Sequence, residues 1–346
     1  MGDRISGAID KSIRTALLID GFWERWLVHG VDANELSDIR PRLTDLEAWV
    51  GNWSRMAEQK ISLAEELRRG KSFEEAELAY RTAALFYNLG QWIFPERCGQ
   101  KERLFALSRQ AFQQADDLSA VETRYVSIQV DNNTCLGRVR VPQSPKGCVI
   151  IINPIDSSKE ELFVYERDFL NAHFVTVSFD GPGQGETYVM NGLKATVENW
   201  RQFVDALIEY TLEQFPRLPV FIFGTSFGAS WVVYASCHPN VAKAVAVSPA
   251  FDRQQMSMPD YFNVRMDCIH GDDKDPFPDF EQLRYRNPVF LFHGGRDRMV
   301  KRSDIYHLYD ILPAGKRLIE YEDEMHCCNY KLREIREIAI QWYMDN

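Results

Sequence analysis

Residues 219–238 read Pro-Val-Phe-Ile-Phe-Gly-Thr-Ser-Phe-Gly-Ala-Ser-Trp-Val-Val-Tyr-Ala-Ser-Cys-His. A short apolar run ends in Gly224-Thr225-Ser226-Phe227-Gly228, and a helix-like run follows. Strand, sharp turn and helix around G-x-S-x-G form the context in which this motif presents a serine as a nucleophile. The chemistry needs the glycines. Ser226 has to stand in a tight turn with its hydroxyl pushed clear of the strand ends. Gly224 and Gly228 carry no Cβ, so the strand and the helix can close on that turn. The helix that starts here aims its free N–H groups and the positive end of its dipole at the serine. The bland alternative is an ordinary strand–helix turn, where any small residue would serve.

A serine nucleophile needs a base, and the base needs an acid that orients it. When they follow a strand–elbow–helix serine, they come in the order acid, then histidine. Residues 288–293 read as a buried strand and run into Gly294-Gly295-Arg296-Asp297-Arg298-Met299-Val300. Asp297 therefore falls in a loop just past a strand end. Residues 317–321 read as the next strand, and Glu322-Asp323-Glu324-Met325-His326 follows as a loop before a last helix. Two independent elements thus place His326 between strand and helix. The other six histidines, His29, His173, His238, His270, His293 and His307, lie on helices, strands or irregular segments without such placement. Asp304 is the nearest rival, and the bland alternative for Asp297 is a loop-capping role. Glu322, Asp323 and Glu324 read as a solvated acidic run.

The oxyanion of an acyl-transfer intermediate needs two preorganised donors. The N–H of Phe227, directly after the nucleophile, is the first. The second is expected from the loop after the strand 148–152, namely Asn153-Pro154-Ile155-Asp156. Pro154 has no N–H, so Ile155 is the expected donor. Ser157-Ser158-Lys159-Glu160 matches a capping box with Ser157 as N-cap.

The first ~118 residues read as helical, with helices at roughly 9–29, 44–69, 73–90 and 96–118. Five of the eight tryptophans, Trp23, Trp26, Trp49, Trp53 and Trp92, fall here. Two readings stay open for them, a helix–helix core and an aromatic lining over a site. After Ala120 the pattern alternates over 122–130 and 135–141, with a turn at Asn132-Asn133, as an edge hairpin does. Apolar runs at 148–152, 174–179, 219–223, 243–247, 288–293 and 317–321 then alternate with helices, the pattern of parallel strands buried on both faces. The expectation is an α/β fold: an eight-stranded, mostly parallel sheet of the α/β-hydrolase type. A helical N-terminal domain over 1–119 would form a lid on a catalytic domain over 120–346. Residues 250–287, longer than an ordinary loop, read as a small insertion.

Composition narrows the function class. The chain has 346 residues, 45% hydrophobic and 26% charged, with a net charge of −10. That balance argues against nucleic acid as a partner, since phosphate binding wants a basic stripe. No apolar run reaches the ~18 residues of a membrane span, and the start Met-Gly-Asp-Arg-Ile-Ser-Gly lacks the apolar core of a signal peptide. It matches the loose Met-Gly-x-x-x-Ser acylation pattern only in outline, with Asp at position 3. Seven cysteines, an odd number without metal-ligand spacing, fit a reducing, cytoplasmic setting. No metal and no cofactor is called for. Asp180-Gly181-Pro182-Gly183-Gln184-Gly185-Glu186 spaces its glycines as G-x-G-x-G, not as a dinucleotide fingerprint, and reads as a tight loop after a strand.

The helical N-terminal region, Asp156-Ser157-Ser158-Lys159-Glu160-Glu161, the Asp180–Glu186 loop and the Gly224–Gly228 elbow together resemble the family of the fermentation–respiration switch protein esterase. That family includes the dihydroxypseudooxynicotine hydrolase and fungal pigment polyketide-shortening hydrolases. The resemblance spans about 45 to 340. It implies an α/β-hydrolase core with a helical lid, a Ser226–Asp297–His326 triad, often a homodimer, and for several members cleavage of a C–C bond beside a ketone. Asn153-Pro154 departs from the two glycines that relatives tend to have there. The expected function is hydrolysis of a small aromatic or polyketide-like carbonyl compound through an acyl-enzyme. Acyl transfer or cyclisation by the same triad, and a protein-interaction role, are the alternatives.

Overall fold

The computed structural model describes residues 2–251, 256–271 and 275–345. The helices, in chain order, are α1 (Gly2–Leu18), α2 (Glu24–Val28), α3 (Ala33–Ile39), α4 (Leu46–Arg69), α5 (Phe73–Trp92), α6 (Gly99–Leu118), α7 (Phe163–Asn171), α8 (Gly185–Val189), α9 (Val197–Gln214), α10 (Phe227–Ala235), α11 (Asp260–Ile269), α12 (Arg302–Ile311) and α13 (Leu332–Met344). The strands are β1 (Glu122–Val130), β2 (Asn133–Val141), β3 (Gly147–Ile152), β4 (Phe174–Phe179), β5 (Val220–Thr225), β6 (Val241–Val247), β7 (Val289–Gly294) and β8 (Arg317–Tyr321). The chain divides into two compact units. One comprises Met1–Glu122 with Pro259–Ile269, the other Thr123–Met258 with His270–Asn346.

The first unit is helical. Its core is aromatic: Trp23, Trp26, Trp49, Trp53 and Trp92 are all buried, and the rings of Trp23 and Trp49 stack at 5.9 Å. The tryptophan enrichment is therefore helix–helix core. The single helix expected over 9–29 is instead α1, a 3₁₀ turn at Asp20–Phe22 and α2. Trp23 Nε1 donates to the carbonyl of Ala16 across the break, at 2.7 Å, which folds the chain back so that both Trp23 and Trp26 reach the core. Asp32 and Asp45 cap α3 and α4 through their side chains. Ser72 makes no side-chain cap to α5. Segment 259–269 joins this unit through α11. The buried Arg265 spreads over the Trp92 ring at 4.1 Å and donates to the carbonyls of Trp92 and Phe94.

The second unit holds one eight-stranded sheet, ordered β1-β2-β4-β3-β5-β6-β7-β8. β2 runs antiparallel to β4, and the pairs from β4 through β8 are parallel. The β1–β2 hairpin turns at Asp131 and Asn132, both at positive φ (45° and 58°), as a two-residue turn of matching twist requires. Every residue of β3, β4, β5 and β7 is buried, so these strands are covered on both faces. The chain reverses its direction of travel across the sheet at β3, which lies between β4 and β5. Loops at the carboxyl ends of the strands flanking such a reversal form a natural crevice. Residues 252–255 and 272–274, inside the expected insertion 250–287, lie outside the described residues.

Candidate active site

Ser226 sits between β5 and α10 at φ 55°, ψ −124°. A non-glycine residue at this φ is strained, and two things hold it there. Its N–H donates to Val247 O at 2.8 Å, and the elbow is too tight to relax. A Cβ added at Gly224 would meet the Gly228 carbonyl at 2.8 Å, and one at Gly228 would meet Ile152 O at 2.3 Å and Asn153 O at 2.6 Å. The two glycines are thus required by backbone approach, and the elbow rests directly on the end of β3.

The structure brings together the three residues expected to act together. His326 Nε2 lies 2.8 Å from Ser226 Oγ, and His326 Nδ1 lies 2.8 Å from Asp297 Oδ2. The Asp297 side chain is fully buried and that of His326 is 14% exposed. Asp297 Oδ1 accepts from the N–H groups of Met299 (2.7 Å) and Val300 (3.0 Å), which leaves Oδ2 for the imidazole. Burial alone would raise the Asp297 carboxyl. The facing imidazole and the two backbone donors outweigh it and hold the carboxyl below the usual range. For His326, burial alone would depress the ring. The Asp297 carboxylate and the adjoining Cys327 together outweigh it, so the imidazole is held well above its ordinary value. Such a carboxylate fixes the tautomer that leaves Nε2 facing the hydroxyl and stabilises the imidazolium once it forms. Asp304, the rival acid, stands in the first turn of α12 beside Ser303.

Main-chain bonds lock the two loops that carry Asp297 and His326. Gly295 N–H donates to Tyr321 O at 2.8 Å and Arg296 N–H to Glu324 O at 2.9 Å. A Cβ at Gly294 would meet Met325 O at 2.2 Å. Glu324 is buried and accepts from Tyr330 N–H at 3.3 Å. It does not belong to a solvated run, unlike its exposed neighbours Glu322 and Asp323. Sequence reasoning missed Ser248, which is buried just past β6. Its hydroxyl accepts the Cys327 N–H at 3.1 Å, anchoring the residue after His326, where Cys327 and Cys328 both take positive φ. No local pattern marks a lone serine at a strand end for that task.

Phe227 opens α10, so its N–H is among the first-turn donors that a helix leaves unpaired. Ile155 lies in the buried loop after β3. The helix expected to start at Ser157 begins instead at Phe163. The capping box does not form, because electrostatics claims its residues. Ser157 Oγ donates to Glu161 at 3.0 Å. The buried ammonium of Lys159 lies 2.8 Å from Glu160, 3.0 Å from Asp180 and 2.9 Å from Glu186. Glu160, Asp180 and Glu186 form an acidic trio with metal-like spacing among the described residues, and Lys159 supplies the positive charge between them. Burial alone would discharge that lysine, but the three carboxylates outweigh burial and hold it protonated. None of the seven cysteines is in a disulfide, and no helix among the described residues is long and apolar enough to cross a membrane.

Residues 143–269 match the family model described as "Serine aminopeptidase, S33". The matched segment contains Ser226 and ends before Asp297 and His326. Over 93% of this chain and 91% of the relative, the sequence is 24% identical to 2,6-dihydropseudooxynicotine hydrolase of Paenarthrobacter nicotinovorans. The crystal structure of the 2,6-dihydroxy-pseudo-oxynicotine hydrolase superposes on 92% of this chain with a TM-score of 0.78 at 20% identity, covering 94% of that chain. The fold is that of the α/β-hydrolases. A Pyrococcus furiosus esterase shares it more loosely, with a TM-score of 0.51 over 64% of this chain and 90% of its own at 16% identity. Hydrolyase poxO of Penicillium oxalicum is 23% identical over 60% of this chain, which spans only 53% of that relative's length. These relatives agree with the resemblance carried by residues 156–161, 180–186 and the elbow.

Proposed function

We propose that this α/β-hydrolase cleaves a small aromatic or polyketide-like carbonyl compound through an acyl-enzyme. The observation that carries the reading is the unbroken chain Asp297–His326–Ser226, with both contacts at 2.8 Å and the serine held in a strained elbow. His326 takes the proton of Ser226 as the hydroxyl oxygen attacks the carbonyl carbon. The N–H groups of Phe227 and Ile155 receive the oxyanion. Collapse expels the leaving group, which takes a proton from the imidazolium, and water activated by His326 then releases the acid. The leaving atom is carbon for a ketone-activated C–C bond and oxygen for an ester. The triad is neutral between them, because both begin with the same attack. The family resemblance alone favours the C–C bond, which is an argument by analogy.

The test has two parts. A fluorophosphonate probe should label Ser226, and labelling elsewhere or not at all would overturn the serine mechanism. Product masses from a panel of 1,3-diketones and matched esters then assign the bond. Fast turnover of simple esters with no diketone cleavage would make this a plain carboxylesterase, and products joined to an added alcohol or amine would make it an acyltransferase.

A further inference from the structure

The Asp180–Glu186 loop is built as a clamp on the segment that carries Ile155. Gln184 is fully buried, and every polar atom of its side chain is committed. Its Oε1 accepts from Gly181 N–H at 2.9 Å. Its Nε2 donates to Asn153 O at 2.7 Å and to Pro154 O at 2.9 Å. The partners fix the amide's orientation. Turned over, it would set its oxygen against two carbonyls and its NH₂ against an N–H.

The second of those carbonyls matters for chemistry. Pro154 C=O and Ile155 N–H belong to one peptide unit, which is planar and trans, so the two groups point in opposite directions. Fixing the oxygen therefore fixes the direction of the N–H. A bond to the oxygen also polarises the amide and strengthens the N–H as a donor. Pro154 itself offers no N–H, so the loop has no neighbouring donor at that residue to compensate for a misplaced Ile155. The remainder of the clamp explains the motif. Asp180 accepts from Lys159 N–H at 2.7 Å, from Glu186 N–H at 2.8 Å and from Asn153 Nδ2 at 3.2 Å. The loop wraps so closely that a Cβ at Gly185 would meet the Asp180 carboxylate at 2.3 Å, and one at Gly181 would meet the Trp200 ring at 2.7 Å.

We propose that Gln184 is a positioning residue for the oxyanion hole: it aims and polarises the Ile155 N–H through the Pro154 carbonyl. This rests on the serine-hydrolase reading above. The test uses Gln184→Met, which keeps the volume and removes both donors, and Gln184→Glu, which keeps the bond from Gly181 and turns an acceptor toward the two carbonyls. Rates on p-nitrophenyl butyrate are taken per active site titrated with a fluorophosphonate, so a smaller folded fraction does not register. Losing an oxyanion donor outright costs ~10²–10³-fold, so misaiming one should lower kcat/KM by roughly 10- to 100-fold. The affinity of an aryl trifluoromethyl ketone, whose adduct carries the oxyanion, should fall by the same factor. Affinity for the matching methyl ketone, which forms no such adduct, should change less than about threefold.

Gln184→Met with wild-type kcat/KM per titrated site would overturn the proposal, as would equal losses for the two ketones. Should Gln184→Glu not fold, Gln184→Met decides alone. Ser226→Ala separates the layers. If it is inactive while the Gln184 variants match wild type, the mechanism stands and the clamp does not. If Ser226→Ala is active, both fall.

Discussion

Gly228→Ala probes the elbow and the oxyanion loop in one step. The added Cβ would stand 2.3 Å from Ile152 O, 2.6 Å from Asn153 O and 2.8 Å from Ile152 C. All three are main-chain atoms at the end of β3, and none can rotate away. Real Cβ contacts essentially never fall below 3.0 Å, so the helix start and the strand end must part by about 0.7 Å, an overpacking of the kind that costs ~1–3 kcal/mol. The same movement separates the Phe227 N–H from the Ile155 N–H. A displacement near 1 Å at a reacting centre lowers turnover by about 10²-fold. Urea unfolding and initial rates on a p-nitrophenyl ester read the two effects. Stability and kcat should fall together, with KM nearly unchanged. Gly51→Ala, where a Cβ meets nothing within 4 Å, is the control. It should keep its rate and gain ~0.5–1 kcal/mol as a helix-interior glycine replaced. A Gly228→Ala enzyme with the wild-type rate and unfolding midpoint would refute the close-approach argument.

Ser226→Ala should lower turnover by at least ~10⁴-fold with the fold intact, and adding His326→Ala should cost little more, because such residues act as a unit. Additive losses in steady-state rates would show that the two work independently. Asp297→Asn should lower kcat by ~10⁴-fold, since the imidazole would hold the wrong tautomer, while Asp304→Asn should be mild; the reverse ranking would move the acid to Asp304. His326 works as a base only when unprotonated, and Asp297 raises it above the ordinary 6.5. The kcat/KM profile should therefore rise with pH through a midpoint above 6.5, and in Asp297→Asn, where the larger of the two influences opposing burial is gone and only that of Cys327 remains, the midpoint should move down. A chain beginning at Ala120 lacks the carbonyls of Trp92 and Phe94 that Arg265 binds, and α11 then exposes Val264, Met266 and Ile269. It should aggregate on expression; a monodisperse product by gel filtration would contradict this.

The elbow, the succession of eight strands and the meeting of Ser226, Asp297 and His326 were legible because each rests on local pattern: apolar runs, glycines at a turn, and loops at strand ends. Legibility failed where a distant partner overruled a local rule. The Ser157 capping box lost its residues to the buried Lys159, whose partners Asp180 and Glu186 lie 21 and 27 residues away. Ser248 holds the His326 loop across 79 residues, and nothing near it in sequence says so. The helix expected over 9–29 broke because Trp23 had to bond back to Ala16, which periodicity alone does not reveal. Asp180–Glu186 was legible as a tight loop, but its hold on Pro154 was not, since that bond joins residues 30 apart.

The discontinuity of the helical unit bears on how the chain is made. Arg265 follows Trp92 by 173 residues. At the ribosome's pace of about 5–20 residues per second, that interval takes roughly 10 to 35 s. During that time α1 to α6 exist without α11. Arg4 awaits Asp267, Lys11 awaits Asp260, and the Trp92 carbonyl has no guanidinium. The N-terminal helices thus emerge first and are completed late, after six of the eight strands have left the tunnel. Synthesis, more than the finished structure, is where this chain is most open to wrong partners.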